Sequence, residues 1–251
     1  MPESQVVVIG HSARDSVYRI AAFGKVPSKH RALEHIECGG GSAANAAAAI
    51  ARLGGKVHLW SRVGNDDAGR QVISLWQRDG VDTSHILVHS GSRTSTAVVI
   101  VDAHGERLVV SERDHAMPAS VDWLPLDQIA EAGAVLSDMT WREATRAAFQ
   151  SARSLRIPTV LDLDIAGGLP SAEVLELTDF AIASADALET MIEGRDRDTR
   201  LQQLISKGAR HAGVTLGRDG YAWINSEGNT GFQPAFNVET IDTTGAGDAF
   251  H

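Results

Sequence analysis

The stretch that decides the fold reads Ala134-Val-Leu-Ser137, then Trp141-Arg-Glu-Ala-Thr-Arg-Ala-Ala-Phe-Gln-Ser-Ala-Arg-Ser-Leu155, then Thr159-Val-Leu-Asp162. The outer segments are short and mostly apolar, which predicts buried strands, and the longer middle segment predicts a helix without glycine or proline. A strand, a crossover helix and a second strand form the repeating unit of a parallel sheet covered by helices.

The same alternation continues on both sides of this stretch. Downstream, the sequence predicts helices at 171–177, 186–192 and 198–207 and strands at 180–183 and 211–215. Upstream, it predicts strands at 6–10, 56–60 and 81–88 and helices at 42–53 and 68–78. We therefore expect an α/β fold, a single domain over residues 1–251 with a mostly parallel central sheet flanked by helices.

Two segments with strand character lie outside the alternation. One covers about 12–38, and the other, about 94–115, contains a hairpin of strands 94–101 and 106–111 around a turn at 102–105. We predict that they form a small β-sheet lid over one end of the main sheet; edge strands of the main sheet are the alternative. Because a lid of this kind has unpaired edges, we also expect a homodimer formed through it.

Composition and charge exclude several classes of protein. A net charge of -9 over 251 residues argues against a nucleic-acid partner, because such proteins usually present a basic face. The single cysteine, Cys38, cannot form an internal disulfide, and we interpret it as a bystander thiol. The apolar run Val6–Ile9 is too short for a signal or membrane segment, so we expect a cytoplasmic protein without a membrane partner.

The strongest chemical signal is Ile241-Asp-Thr-Thr-Gly245-Ala-Gly247-Asp248-Ala-Phe250. A glycine–small–glycine turn lets backbone N–H groups point into one concavity, which suits the oxygens of a phosphate. Asp248 follows directly and can accept the proton of an attacking alcohol. This string therefore predicts an anion hole next to a general base.

A second glycine-rich string, Cys38-Gly-Gly40-Gly41-Ser-Ala-Ala-Asn45, precedes the alanine-rich helix. Glycines let a sugar approach the backbone, and the Asn45 amide offers a donor and an acceptor to hydroxyl groups. A flexible loop followed by a helix start is the alternative interpretation of this string taken alone.

Together the two strings resemble the signatures of the ribokinase (PfkB) family. The resemblance implies a ribokinase-like fold and ATP-dependent transfer of a phosphoryl group to a hydroxyl of a small sugar or sugar derivative, with ATP and Mg²⁺ as cofactors. It implies that Gly245, Ala246 and Gly247 form the anion hole and that Asp248 is the catalytic base. Asp242 and Thr244 would lie near a loop that binds K⁺ in some members.

Further matches to the family occur in the expected order along the chain. Asp15 resembles the substrate-binding aspartate, which would act with Gly40, Gly41 and Asn45. The string Thr215-Leu-Gly217-Arg-Asp-Gly220 resembles the strand and turn on the ATP side, where Ser184 is also expected. The string Gly64-Asn-Asp-Asp-Ala-Gly69 resembles a family turn that we interpret as structural.

The sequence departs from the family where many members carry Asn-x-x-Glu. The matching string is Ser184-Ala-Asp-Ala187, so the sequence names no metal ligand; Asp164, Asp186 and Glu189 are substitutes to test. In the family, further helices follow the aspartate that matches Asp248, whereas this chain ends at His251. We therefore expect a fragment without the C-terminal helices, with little kinase activity if His251 is the true C-terminus.

Three strings also resemble sulfofructose kinases within the family: Leu136–Trp141, the pattern from Lys29 to Gly39, and Pro234–Phe236. In those enzymes a lysine matching Lys29 helps to hold the sulfonate, but an arginine expected near position 140 and an asparagine near position 111 are absent. The predicted lid is rich in basic groups that would suit an anionic substituent, or would line a solvated or dimer-forming face. These groups are Arg14, Arg19, Lys25, Lys29, His30, Arg31, Arg113 and His115.

Two alternative functions remain open. A nucleoside kinase would need aromatic rings to stack on the base, and the lid segments offer Tyr18 and Phe23. A non-catalytic sugar-binding relative would keep the fold without the chemistry. The intact string from Gly245 to Asp248 favours a kinase.

Overall fold

The computed structural model describes residues 5–24, 29–114, 116–165, 167–239 and 243–251. Its strands are β1 (Gln5–Ile9), β2 (Ala13–Arg19), β3 (Glu34–Gly40), β4 (Lys56–Gly64), β5 (Ile86–His89), β6 (Ser95–Val101), β7 (Arg107–Glu112), β8 (Ala132–Ser137), β9 (Thr159–Leu163), β10 (Phe180–Ser184), β11 (His211–Thr215), β12 (Tyr221–Asn225) and β13 (Thr230–Gln233). Its α-helices are α1 (Ser42–Arg52), α2 (Asp67–Arg78), α3 (Arg142–Leu155), α4 (Ala172–Glu176), α5 (Ala185–Met191), α6 (Arg197–Ser206) and α7 (Ala246–Phe250).

The main sheet has nine strands in the order β13-β12-β11-β10-β9-β8-β1-β4-β5. The strands from β11 to β5 are parallel, whereas β12 and β13 add an antiparallel edge. The predicted α/β fold with a mostly parallel sheet is therefore confirmed. The antiparallel edge was not predicted, since it follows the last βα unit.

The core has two layers, one on each face of the main sheet. Val7 and Ile9 of β1 pack into the layer beneath α3 to α6, whereas Val8 packs into the layer beneath α1 and α2. Successive strand residues point to opposite faces, so a fully buried strand must be apolar throughout. This explains the unbroken run Val6–Ile9.

A separate four-stranded sheet has the order β3-β2-β6-β7. Here β2 pairs with β6 in parallel, and β3 and β7 pair antiparallel on the two outer sides. The predicted small sheet is thus confirmed, and the alternative of edge strands on the main sheet is excluded. The hairpin turn closes with Gly105 N donating to Asp102 O at 3.1 Å.

Some element boundaries differ from the prediction. The segment predicted as extended from 81 to 88 forms a strand only over β5, because the Asp82 carboxylate turns the chain by accepting from Ser84 N at 2.8 Å. At the start of α2, Asp66 caps the helix by accepting from Gly69 N at 2.8 Å. In the part of the chain described, no helix has the length and apolar character needed to cross a membrane.

Candidate active site

The string from Gly245 to Asp248 forms the beginning of α7. Gly245 has φ 71°, a left-handed conformation that strains most other residues, and Asp248 lies half-buried in the first helical turn. A side chain built at Gly247 would meet nothing within 4 Å, so the backbone is open there. The N–H of Ala246 donates to Thr243 O at 3.2 Å.

The two glycine-rich strings meet in space although they are far apart in sequence. Asn45, in the first turn of α1, donates from Nδ2 to Asp248 Oδ2 at 2.7 Å across 203 residues of chain. Burial raises the pKa of Asp248, and the nearby Asp164 and Asp138 carboxylates add to this effect. The hydrogen bond from Asn45 and the charge of His251 lower the pKa, but the net shift is upward. A carboxyl with a raised pKa is a better proton acceptor than an ordinary aspartate.

Asp15 lies on β2 against the end of β3. A Cβ added at Gly40 would be 2.1 Å from Asp15 Oδ2, so the absence of a side chain makes room for the carboxylate. Burial and the charge of Asp248 raise the pKa of Asp15 to about 6. Two carboxylates, from opposite ends of the chain, therefore share one partly buried region.

The other glycines of the second string also serve close packing rather than flexibility. Gly39 lies against the ring of Trp76, where a Cβ would be 2.3 Å from the indole. Gly41 has φ 97° and lies against the carbonyl of His11. The alternative interpretation of this string as a flexible loop is excluded, because Gly39 and Gly40 belong to β3.

Asp138, which follows β8, joins three elements and was not predicted as a site residue. Its fully buried carboxylate accepts from His11 N at 2.8 Å, from Ala43 N at 3.0 Å and from Thr140 Oγ1 at 2.6 Å. It thus holds the end of β1 and the start of α1, a helix whose own N-cap, Gly41, has no side chain to offer. An aspartate directly after a buried strand was the available signal.

A scan of family models matches residues 3–251 to the pfkB family carbohydrate kinase model. The chain belongs to the pfkB family of carbohydrate kinases. It is 31% identical over 235 residues to a fructokinase from Klebsiella pneumoniae, covering 86% of this chain and 75% of that protein. It is 28% identical to an aminoimidazole riboside kinase from Salmonella typhimurium, covering 92% of this chain and 76% of that one.

The fold comparison agrees with the family assignment. The structure of Arabidopsis thaliana ribokinase complexed with ribose and ATP superimposes with a TM-score of 0.84 at 22% identity, over 100% of this chain and 84% of that one. The ribokinase-like fold is therefore confirmed, and the chain is a sugar or nucleoside kinase of the pfkB family.

The predicted ATP-side residues of this pfkB kinase lie along adjacent strand ends. Ser184, at the end of β10, caps α5 by accepting from Ala187 N at 3.2 Å, and it is in register with Thr215 of β11. Gly217 and Gly220 follow in the turn to β12, with φ 56° and 121°. Ser184 and Thr215 therefore form the carboxyl ends of β10 and β11, and Gly217 and Gly220 lie just beyond the end of β11.

The three acidic residues considered for the metal lie in different surroundings. Asp164 is half-buried and close enough to raise the pKa of Asp248, whereas Asp186 and Glu189 are exposed on α5. Glu189 lies 4.0 Å from the guanidinium of Arg200. Within the described ranges, no group of three or more His, Cys, Asp or Glu side chains is arranged to hold a metal ion. Asp242, predicted near a K⁺ loop, lies outside the described residues.

The basic groups of the small sheet are partly compensated by acidic neighbours. Arg14 lies 3.4 Å from Glu37, and Arg19 lies 3.4 Å from Glu34. Lys29 is exposed, and Lys25 and His115 lie outside the described residues. The predicted excess of positive charge is therefore smaller than the sequence indicates.

Two positions relevant to a sulfonate site are engaged elsewhere. The hydroxyl of Thr140 donates to Asp138, and Arg142 donates to the carbonyl oxygens of Gly167 at 2.9 Å and Leu169 at 3.1 Å. Arg142 thus holds the loop that contains Gly167 and Leu169.

Proposed function

We propose that this kinase transfers the γ-phosphoryl group of ATP to a hydroxyl of a small sugar, with Asp248 as the catalytic base. The observation that carries the proposal is the 2.7 Å hydrogen bond from Asn45 to Asp248. This bond brings the string from Cys38 to Asn45, which would bind the sugar, next to the string from Gly245 to Asp248, which would bind the phosphate. Direct transfer between two substrates requires such proximity.

The sugar lies against Asp15, Gly40, Gly41 and Asn45 in this proposal. A carboxylate can accept from two sugar hydroxyls at once, and the space left by the glycines lets the ring approach the backbone. The Asp15 carboxylate occupies the space that a side chain at Gly40 would fill, so it is already in position before the sugar binds.

The transfer step uses the opposite side of the same region. The Asp248 carboxylate accepts the proton of the attacking hydroxyl, the hydroxyl oxygen bonds to the γ-phosphorus, and the bond to the β–γ bridging oxygen breaks to release ADP. Backbone N–H groups of Gly245, Ala246 and Gly247 face the transferred oxygens. The N–H of Ala246 must leave Thr243 O, or be shared with it, for this role.

The nucleotide would extend from α7 along Ser184, Thr215, Gly217 and Gly220. Mg²⁺ would enter with ATP and neutralise phosphate charge, because this ion usually takes most of its ligands from phosphate oxygens and water. A requirement for K⁺ and a cytoplasmic location remain predictions.

A ketose is the substrate class that we favour. The fructokinase relative at 31% identity supports it. Sulfofructose is a narrower candidate supported by the exposed Lys29, while the hydrogen bonds that already engage Thr140 and Arg142 count against it.

A nucleoside is the second candidate, favoured by the aminoimidazole riboside kinase relative. Tyr18, however, is three residues from Asp15 on β2, so the two side chains point to opposite faces of the small sheet. On its face Tyr18 stacks on His35, with the ring centroids 4.4 Å apart.

We also propose that the small sheet acts as a lid and pairs with that of a second copy. All six residues of the outer strand β7 are exposed, including Leu108 at 50%, Val109 at 55% and Val110 at 62%. An exposed apolar edge strand is normally covered by a partner. Sedimentation equilibrium tests this proposal, and a monomer at micromolar concentration would reject it.

Replacement of Asp248 by Asn tests the proposed chemistry. We expect kcat to fall by about 10²- to 10⁴-fold, the usual contribution of a general base, while calorimetry shows the same sugar affinity. Asp198→Asn, on the exposed face of α6, is the matched control and should keep full activity. A screen of ketoses, sulfosugars, sugar acids and nucleosides with ADP release as readout identifies the acceptor. An unchanged kcat in Asp248→Asn would reject the assigned base, and no ADP release with any acceptor would favour a sugar-binding relative.

A further inference from the structure

A buried contact between a histidine and an aspartate, beside the proposed base, joins α7 to the main sheet. His251 Nδ1 lies 2.8 Å from Asp162 Oδ1, and each side chain is 4% exposed. Asp162 is the fourth residue of β9, and His251 directly follows α7. The contact therefore links the carboxyl end of a central strand to the helix that carries Asp248.

The position of His251 on the helix couples it to Asp248. The two residues are three positions apart and therefore lie on the same side of a helix. The N–H of His251 donates to Gly247 O at 3.2 Å, so the helical turn continues to that residue. A positive charge on His251 lowers the pKa of Asp248.

The pair has a chemical requirement that makes it rigid. A nitrogen and a carboxylate oxygen only 2.8 Å apart repel each other unless one of the two groups carries a proton. Burial raises the pKa of Asp162 to about 6, and His251 opposes that shift. A buried carboxylate without a partner is strongly unfavourable, so Asp162 favours the position of α7 in which His251 reaches it.

α7 is held from two sides, because it also packs against α1 through the Asn45–Asp248 hydrogen bond. None of its residues is buried, and Phe250 is 51% exposed although its ring lies 5.0 Å from that of Tyr221. The Asp162–His251 contact therefore fixes α7 on the side of β9, while Asn45 fixes it on the side of α1.

We propose that Asp162 and His251 are positioning residues that hold α7 so that Asp248 reaches the acceptor hydroxyl. This inference rests on the proposed function, because it assigns to the pair the geometry that Asp248 needs. A displacement of about 1 Å at a reacting group typically lowers the rate by about 10²-fold. The proposed sugar-binding residues belong to β2, β3 and the start of α1 rather than to β9 or α7, so sugar binding should be preserved.

The test compares steady-state kinetics and sugar affinity of single and double variants. We expect Asp162→Ala and His251→Ala each to lower kcat by about 30- to 100-fold, with the KM for the sugar changed by less than about 3-fold. The double variant should be no slower than either single variant, because both remove the same contact. Asp162→Asn keeps an oxygen that can accept from His251 Nδ1 and should recover most of the rate.

A matched control separates positioning from general loosening of the strand. Leu161→Val, in the adjacent, fully buried position of β9, should lower the melting temperature and leave kcat within about 2-fold. If Asp162→Ala does not fold, His251→Ala and His251→Gln provide the same comparison from the end of α7. An unchanged kcat in the His251 variants, or additive losses in the double variant, would overturn the inference. If Asp248→Asn is slow while these variants are not, the proposed function stands and only the positioning role fails.

Discussion

Substitution of Gly40 by Ala tests whether the glycine-rich string fixes the sugar-binding carboxylate. The three atoms nearest to the added Cβ all belong to Asp15, and the closest, Oδ2, is at 2.1 Å. Ordinary contact begins at 3.4 Å, so the carboxylate must retreat by about 1.3 Å. The backbone of Gly40 does not have a positive φ, and alanine is therefore free of backbone strain there.

A displacement of this size predicts a large and specific kinetic effect. Misplacement by about 1 Å typically lowers activity by about 10²-fold, so we expect kcat/KM for the sugar to fall by about that factor. The KM for ATP should change little, because the proposed ATP-side residues lie on other strands. Steady-state kinetics with each substrate varied in turn measures both effects.

A double-mutant cycle identifies the cause of the loss. In an Asp15→Ala background the obstructing carboxylate is gone, so Gly40→Ala should lower kcat/KM by less than about 3-fold further. Gly228→Asn is the matched control, since that glycine has φ 82°, has nothing within 4 Å of an added Cβ, and lies far along the chain in the β12–β13 turn. Equal losses with and without Asp15 would refute the reasoning, as would full activity of Gly40→Ala.

Two further predictions concern protonation in the same region. Removal of the hydrogen-bond donor by Asn45→Ala should raise the pKa of Asp248, so the acid limb of kcat moves to higher pH and kcat/KM falls by about 10- to 100-fold; a pH–rate profile that does not move would contradict this. Asp15 has a pKa of about 6 and is ionised above it, so sugar affinity measured by calorimetry should weaken by about 10-fold from pH 7 to pH 5. Because Asp248 raises that pKa, Asp248→Asn should shift the decline in affinity to lower pH; an affinity that is constant between pH 5 and pH 7 would contradict the role of Asp15.

Most of the fold could be predicted because its signals are local. Strands such as β9 and helices such as α3 are continuous apolar or glycine-free segments, and Asp66 is a recognisable cap for α2. The antiparallel edge of β12 and β13 was missed because the repeating βα unit ends before it. The extent of β5 was also misjudged, since the turn at Asp82 depends on a side-chain bond that an apolar pattern does not show.

The site could be predicted only where its residues belong to recognisable strings. Asn45 and Asp248 stand in such strings, and the structure brings them together. Asp138, Asp162 and His251 lie outside the two glycine-rich strings. Their importance comes from contacts across the chain: Asp138 bonds to Ala43, 95 positions away, and Asp162 contacts His251, 89 positions away. Such contacts follow from the order of strands in the sheet rather than from local periodicity.

The sheet topology explains why the reactive groups meet where they do. In the main sheet, β4 lies on one side of β1 and is reached first, through α1. The later strands β8 and β9 lie on the other side of β1. The two sets of helices cover opposite faces, so a crevice opens between the carboxyl ends of β1 and β8, the place where open α/β sheets bind ligands. Asp138 binds the backbone of both sides of this crevice, and α7 crosses it, touching α1 through Asn45 and β9 through Asp162. A helix held at both sides of a crevice places its base between them, so the position of Asp248 depends on the sheet order as much as on its own sequence motif.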